Sequence, residues 1–319
     1  MNCIKIVWVG YHEEGLKAFE TILRMGYNVS KFITLNDESF EKRSAGSRDY
    51  LSLCAIYNVP VGMVSSIKSD EAFEMILDAK PDLMVVLGWS EILPERLLRI
   101  PTIGTVGAHA ALLPHGRGSA PINWAIINGE KSGGNSLMWL DKEVDKGNII
   151  DQIGFEITPF DTCKTLYDKV SETNNVMLIR LIDRLSNNFP TVMDKTNVTN
   201  EELLPRRRPK DGIMNWSQSS RRVYDFIRAL TKPYPGAFTY LGGKRFIVWK
   251  SSLLPIDGTL ATPGTVIGPV FSPEPSCCGY LVSCSSGALI VTSIEDDSGT
   301  VYEGKSIIEL NLTGVFGDE

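Results

Sequence analysis

Two side chains near the middle of this chain have the types needed to move a proton near neutral pH, His109 and Asp145. They sit inside residues 104–150, where glycines punctuate apolar stretches: GTVGAHAALLPHGRGSAPINWAIINGE and then NSLMWLDKEVDKGNII. An imidazole facing a carboxylate can hold one tautomer and give or take a proton in the range where enzymes work. On spacing alone the plainer reading weighs more: His109 as a hydrogen-bonded structural histidine and Asp145 as a turn residue.

The elements around the pair decide whether it can meet. Residues 103–109 predict a short buried strand that leaves the sheet through a Leu112-Leu113-Pro114 corner and a Gly116-Arg117-Gly118 loop, so that His109 lies at a strand's carboxyl end, where open α/β sheets hold ligands. Pro121 opens a predicted helix to Asn128, with Ser119 as its cap and Gly129 as its stop. A strand over 136–140 then ends in the acidic loop 141–147. Two adjacent strand ends would bring His109 and Asp145 face to face.

Upstream, apolar runs at 4–9, 29–35, 61–64 and 83–87 alternate with helical patterns at 16–23, 50–57 and 70–77, the last capped by Asp70, while 36–47 reads as a surface loop. Strands alternating with helices predict a doubly wound, mostly parallel sheet covered on both faces. The Gly10–Gly15 turn lacks the G-x-G-x-x-G spacing, which argues against a dinucleotide site. Downstream, a long helix starting near Asp161 or Thr162 runs to Phe189, a polar connector spans 197–208, and a helix follows over 219–230. Short strands at 246–250, 264–267, 279–284 and 288–292 between Gly/Pro turns predict a small OB-like β-barrel. We therefore divide the chain into a domain over 1–200, a linker and helix over 201–240, and a β-rich domain over 241–319.

Composition narrows the function classes. With 319 residues, 43% of them hydrophobic and 22% charged, the chain reads as an ordinary globular protein large enough for one bigger and one smaller domain. No apolar run approaches the roughly 20 residues that cross a bilayer, and MNCIKIVWVG enters a strand pattern directly; a cytoplasmic protein with no membrane partner is expected. Six cysteines without a C-x-x-C pair and only three histidines predict reduced thiols and no metal site. A net charge of −6 argues against a nucleic-acid partner. After Lys250 the only basic residue is Lys305, set against nine acidic ones.

The words HAALLP, GRGSAPINWAIINGE and LDKEVDKGNII resemble the H-x-S-L-L-P, R-G-x-A-P-I-x-W-A-I-x-N-G and D-x-G-x-I signatures of the folate-dependent formyltransferases, and the resemblance extends along most of the chain. It implies catalytic roles for His109 and Asp145 and 10-formyltetrahydrofolate as formyl donor. The donor's pterin is implied to lie among Leu87, Gly88, Trp89, Ile92, Leu113, Pro114, Gly118, Asp141 and Val144. The runs RRRPKDG at 206–212 and PYPGAFTYLGGKRFIVWK at 233–250 are similar to the sugar-modifying branch, including the formyltransferase half of the bifunctional aminoarabinose-lipid enzyme. That likeness implies Arg117, Arg207 and Arg208 as substrate-binding residues, since guanidinium forks hold phosphate oxygens. A UDP- or dTDP-linked amino sugar is the expected acceptor. Methionyl-tRNA is the alternative acceptor, and non-catalytic binding of folate or sugar nucleotide the alternative from another class. A homodimer formed through the C-terminal region is a further expectation. One departure stands out: where the family places an oxyanion-donating Asn two residues before the His, this chain has Gly107.

Overall fold

A computed structural model describes residues 4–43, 45–187, 189–191 and 202–317. The chain divides into two compact units. One comprises Met1–Pro121, Ser132–Glu156 and Leu166–Pro205, the other Ile122–Lys131, Ile157–Thr165 and Arg206–Glu319.

The first unit is built on strands β1 (Ile6–Val9), β2 (Val29–Leu35), β3 (Val61–Val64), β4 (Leu83–Val86), β5 (Gly104–His109), β6 (Ser132–Trp139) and β7 (Ile149–Glu156), in the order β3-β2-β1-β4-β5-β6-β7. The first five are parallel; β6 and β7 are antiparallel to their neighbours. The central strands IVWV and LMVV carry no polar alternation because both of their faces are covered, and all eight residues are buried. Ile6, Trp8, Leu83 and Val85 join one apolar cluster with Phe19, Met177 and Leu181, whereas Val7, Val9, Met84 and Val86 join another with Ile76 and Leu97. The period-2 geometry of a strand thus feeds two layers at once. Helices α1 (Leu16–Arg24) and α7 (Cys163–Ser186) supply the first layer, α4 (Asp70–Ala79) and α5 (Glu95–Leu98) the second.

Local details depart from the sequence reading. Residues 36–47 contain a short helix, α2 (Asp37–Glu41), because the Asn36 side chain accepts a hydrogen bond from Ser39 N. Ser69, not Asp70, caps α4; Asp70 instead stands in the first turn, where its charge suits the helix dipole. Helix α3 (Asp49–Tyr57) and helix α6 (Pro121–Ile127) follow the predicted positions closely. The polar connector at 197–208 lies partly outside the described residues.

The second unit holds helix α8 (Ser220–Leu230), capped by Ser219, and an antiparallel sheet of β8 (Ala237–Leu241), β9 (Lys244–Leu253), β10 (Thr265–Val270), β11 (Gly279–Ser283), β12 (Ala288–Glu295), β13 (Val301–Glu303) and β14 (Gly314–Val315). The strands run in the order β14-β10-β11-β12-β9-β8, with β13 beside β12. Tyr240 of β8 pairs with Gly317 just beyond β14, so the two ends of the sheet meet in a nearly closed barrel around Val248, Val282, Leu289, Val291 and Phe316. Closure removes the exposed edges that an open sheet would present. Among the described residues no helix is long and apolar enough to cross a membrane. Cys54, Cys163, Cys278 and Cys284 are buried and Cys277 is exposed; Cys3 lies outside the described residues.

Candidate active site

Strand β5 delivers His109 to the carboxyl edge of the sheet, but Asp145 does not arrive from an adjacent strand end. Strand β6 runs antiparallel to β5, with Ser136 opposite His109 and Trp139 opposite Val106. It therefore finishes three residues, roughly 10 Å, below the histidine. Leu140 N then bonds Thr105 O, and the chain turns back so that Trp139 N donates to Asn148 O at 3.0 Å. Asp145 comes up to the imidazole on this returning loop, with φ +52°, a left-handed conformation that Asp adopts more readily than most residues. Gly147 makes the return possible, since a Cβ there would lie 1.6 Å from the Trp139 carbonyl oxygen. This is the physical content of the D-x-G spacing.

The imidazole is nearly enclosed. Its Nδ1 lies 3.5 Å from Asp145 Oδ1, with side-chain exposures of 9% and 11% for the two residues. Its Nε2 lies 2.8 Å from the Gly116 carbonyl oxygen, which can only accept, so Nε2 carries a proton. The second carboxylate oxygen of Asp145 accepts from Gly118 N at 2.9 Å. Asp145 thus joins the histidine to the Gly116-Arg117-Gly118 loop. A second backbone strap ties that loop down, with Leu204 N donating to Arg117 O at 2.7 Å and Ser119 N to Leu204 O at 2.9 Å.

Gly107 lies on β5 between Thr105 and His109, its neighbours on the same face. A Cβ on it would stand 2.8 Å from Leu140 Cδ2, 3.0 Å from Cδ1 and 3.1 Å from Cγ. The half-buried Leu140, which packs between the cluster Leu113, Met138, Ile149 and the layer under α4, fills the space beside Gly107. No polar side chain is offered from this position. Sequence reasoning found the missing Asn but had no means of naming what lies in its place.

The other residues singled out from sequence fall in several environments. Leu87 is 1% exposed and its side chain belongs to the core, leaving only its backbone to face the rim. Gly88 O accepts from Tyr11 N and His12 N, joining the loops after β4 and β1 at the point where strand order reverses. Trp89 packs edge-on to Tyr11, ring centroids 5.4 Å apart, and its indole N–H is buried without an acceptor among the described residues. Ile92 and Val144 are exposed, at 59% and 39%, whereas Leu113 is buried and is followed by the cis-linked Pro114. Asp141 is exposed at the start of the returning loop. Arg117 is buried in the first unit.

Arg207 and Arg208 belong to the second unit. The Arg207 guanidinium stands over the rings of Trp124 and Phe226, 4.9 Å and 5.4 Å from their centroids, and donates to Asp211 O at 2.6 Å. Burial lowers its pKa, with the Asp211 charge opposing. Arg208 is exposed, and its backbone N–H donates to the Asp211 carboxylate.

Sequence reading passed over Glu14, in the turn after β1. Burial pushes its carboxyl up to about 7, the neighbouring Glu13 charge adds to the rise, and a hydrogen bond from the Gly88 backbone opposes it. His12 Nδ1 accepts from Glu14 N at 3.3 Å and lies 3.8 Å from its carboxylate, while the Tyr50 hydroxyl donates to His12 O at 2.8 Å. Only the YHEEG word after an apolar strand could have signalled it, and that word was weighed for dinucleotide binding alone.

A family model described as formyl transferase matches residues 57–182, and one described as the formyl transferase C-terminal domain matches residues 207–311. The bifunctional polymyxin resistance protein ArnA of Wigglesworthia glossinidia brevipalpis is 33% identical over 305 residues, an alignment that covers 95% of this chain and 45% of that protein. The chain therefore spans less than half the length of that relative. Methionyl-tRNA formyltransferase of Acetivibrio thermocellus is 31% identical over 300 residues, 92% of this chain and 93% of the relative. Among solved structures, WlaRD, a sugar 3N-formyl transferase crystallised in the presence of dTDP and 5-N-formyl-THF, superposes with a TM-score of 0.60 at 20% identity, covering 91% of this chain and 97% of that one. At that identity the likeness is one of fold. With identity above 30% sustained over nearly all of a full-length relative, and both family models falling in order along the sequence, the chain belongs to the formyl transferase family.

Proposed function

We propose that this protein transfers a formyl group from 10-formyltetrahydrofolate to the primary amine of a UDP- or dTDP-linked amino sugar, using His109 and Asp145. The observation that carries this reading is the enclosed pair itself, Nδ1 facing a carboxylate oxygen at 3.5 Å beside a glycine-rich loop. The donor fits the residues present in one testable respect: the buried indole N–H of Trp89 is a hydrogen-bond donor available to a ligand, at the rim where the strand order reverses. Trp89, Gly88, Ile92, Leu113, Pro114, Gly118, Asp141 and Val144 would hold it, with Leu87 contributing backbone only.

When bound, the donor supplies an activated formyl carbon: a bond from the amine nitrogen forms, the bond to N10 breaks, one proton leaves the amine and one reaches N10. Asp145 orients the imidazole and balances its charge when the ring is protonated. His109 takes and returns protons at Nδ1, because Nε2 is committed to Gly116 O. The cationic ring also places positive charge beside developing negative charge, a role made heavier by the absence of a side-chain amide at Gly107.

The sugar-nucleotide acceptor is supported by the likeness to ArnA and to the WlaRD fold, and by the arginine run 206–208. Methionyl-tRNA is the second reading, supported by the relative matched over 93% of its length. The single lysine against nine acidic residues after Lys250 disfavours it, since a tRNA phosphate backbone is bound through basic side chains. Incubation with 10-formyltetrahydrofolate and a panel of UDP- and dTDP-amino sugars, beside methionyl-tRNA, is read by mass spectrometry. A formyl addition to at least one sugar supports the proposal; formylation of the tRNA alone, or of nothing, defeats it.

A further inference from the structure

His109 stands on one rung of the sheet with two polar residues that no sequence signature marks. Ser136 lies directly opposite it on β6, and Gln152 directly opposite Ser136 on β7. Residues opposed in this way project to the same face of a sheet. The three side chains are therefore neighbours, although 43 residues separate the first from the last.

Ser136 is fully buried, and its hydroxyl has no capacity left over. It donates to Ala111 O at 2.6 Å and accepts from Leu113 N at 3.1 Å and from Gln152 Nε2 at 2.8 Å. The Gln152 amide uses its second hydrogen on Leu113 O at 2.8 Å. A hydroxyl offers one donor and two acceptor positions and a primary amide two donors, so every donor of the pair is spent on this corner or within the pair. The corner is the chain's exit from β5. One residue beyond Pro114, His115 N bonds Leu112 O, and the next carbonyl, that of Gly116, faces His109 Nε2.

We propose that Ser136 and Gln152 are positioning residues: they fix the Ala111–Leu113 corner so that the Gly116 carbonyl stays against Nε2, which reserves Nδ1 for proton transfer. Neither hydrogen-bonds the imidazole, whose ring nitrogens face Gly116 O and Asp145. Their action passes through three backbone groups of the corner and then through Gly116. A residue whose only duty was to stabilise the sheet would leave the imidazole tautomer unchanged when removed. The kinetic part rests on the formyl-transfer reading above; the tautomer part does not.

The test uses the full chain with 15N-labelled histidine, the His109 resonances being identified by their loss in His109→Asn. In the parent, the neutral ring carries its proton on Nε2. Gln152→Met keeps the side chain's length and removes both hydrogen bonds; Ser136→Ala removes the hydroxyl; Ser136→Thr retains it. We expect the His109 nitrogens of the first two to move toward averaged tautomer shifts. Their kcat should fall by up to roughly 10²-fold while KM for the folate donor stays within about twofold, as for a misplaced but unbroken catalytic group. Ser136→Thr should retain the parent's spectrum and rate. Should Gln152→Met not fold, Gln152→Glu, of the same shape but unable to donate when ionised, supplies the same readouts. An unchanged His109 spectrum in a folded Gln152 variant overturns the proposal, as does a Ser136→Thr protein that behaves like Ser136→Ala. If the parent formylates nothing, the formyl-transfer reading fails while the histidine spectra still decide the positioning role.

Discussion

Replacing Gly107 with Asn puts the packing around β5 and the missing amide to one test. Gly107 does not adopt a left-handed backbone torsion, so an L side chain is not strained by conformation; the obstacle is Leu140, whose nearest carbon would lie 2.8 Å from the new Cβ. Overpacking of this kind costs about 1–3 kcal/mol. The lower half of that range is expected, because the opposing atoms are terminal carbons of a half-buried leucine that can swing aside. At about 2–4 °C per kcal/mol for a chain of this size, Gly107→Asn should lower Tm by several degrees. Leu140→Ala alone also costs stability. Combined, the two should be less damaging than their sum by about 1 kcal/mol or more, since the alanine vacates the volume that the amide needs. The measurement is a double-mutant cycle by urea unfolding, with formyl transfer assayed on all four proteins. Turnover should rise only in the double variant, where a donor worth up to roughly 10²–10³ in rate can be seated. Additivity within about 0.5 kcal/mol would show that Leu140 does not occupy this space. A faster single variant with undiminished stability would refute the reasoning outright.

Three further outcomes follow from the same structure. Glu14, lifted from 4.5 to about 7 in the fold, makes stability greatest below pH 4.5 and lowers it as pH rises toward 7, by at most about 3 kcal/mol because a fifth of the side chain still meets water. Glu14→Gln should flatten that slope and be the more stable protein at pH 8; equal differences between the two at pH 5 and pH 8 in urea unfolding would contradict the assignment. Asp225, 1% exposed, accepts from Arg221 Nε at 2.9 Å and from Arg228 Nε at 2.7 Å, and Arg228 is itself 5% exposed. Asp225→Asn strands a buried guanidinium and should destabilise the second unit by about 2–4 kcal/mol, somewhat less than a fully orphaned charge because Arg228 keeps its bonds to Thr158 O and Asp161 O; Trp216 and Trp249 fluorescence during unfolding reads this. Finally, Asp145→Asn and His109→Asn should each reduce kcat by at least about 10²-fold with the native fold retained by circular dichroism, and a variant of either that keeps parental turnover removes the pair from the chemistry.

The parallel half of the sheet was legible because its chemistry is local. A four-residue apolar run such as IVWV or LMVV, short and rich in β-branched residues, reads as a strand covered on both sides, and the helices between announce themselves by spacing. The barrel was legible from its turns, although β9, β10 and β12 run longer than the apolar cores that marked them; β9 extends over Lys244–Leu253 because its first residues pair with β8 and its last with β12. Caps were less legible: Ser69 and Asp70 both qualify as a helix start, and only the hydrogen bond to Ala72 N separates them. Glu14 was illegible because a raised carboxyl pKa comes from what surrounds it, and its surroundings arrive from β4 and from Tyr50, distant in sequence.

The direction of β6 carried the largest consequence. Nothing in the run SGGNSLMW distinguishes parallel from antiparallel pairing, and the parallel choice would have put Asp145 beside His109 by the shortest route. The antiparallel strand instead obliges the chain to return along the face of β5, past Thr105 and Gly107, before Asp145 can meet the imidazole. Leu140 and Asp145 therefore ride on one loop. The side chain that fills the space beside Gly107 and the carboxylate that orients His109 are set by the same backbone path. An amide introduced at position 107 presses on the base of the loop that carries the acid, so the identity of residue 107 is coupled to the placement of Asp145 through Leu140. Leu140→Ala in the parent background isolates that coupling: the Nδ1 to Oδ1 approach should loosen, and the His109 nitrogen shifts should move, although the substitution touches neither residue.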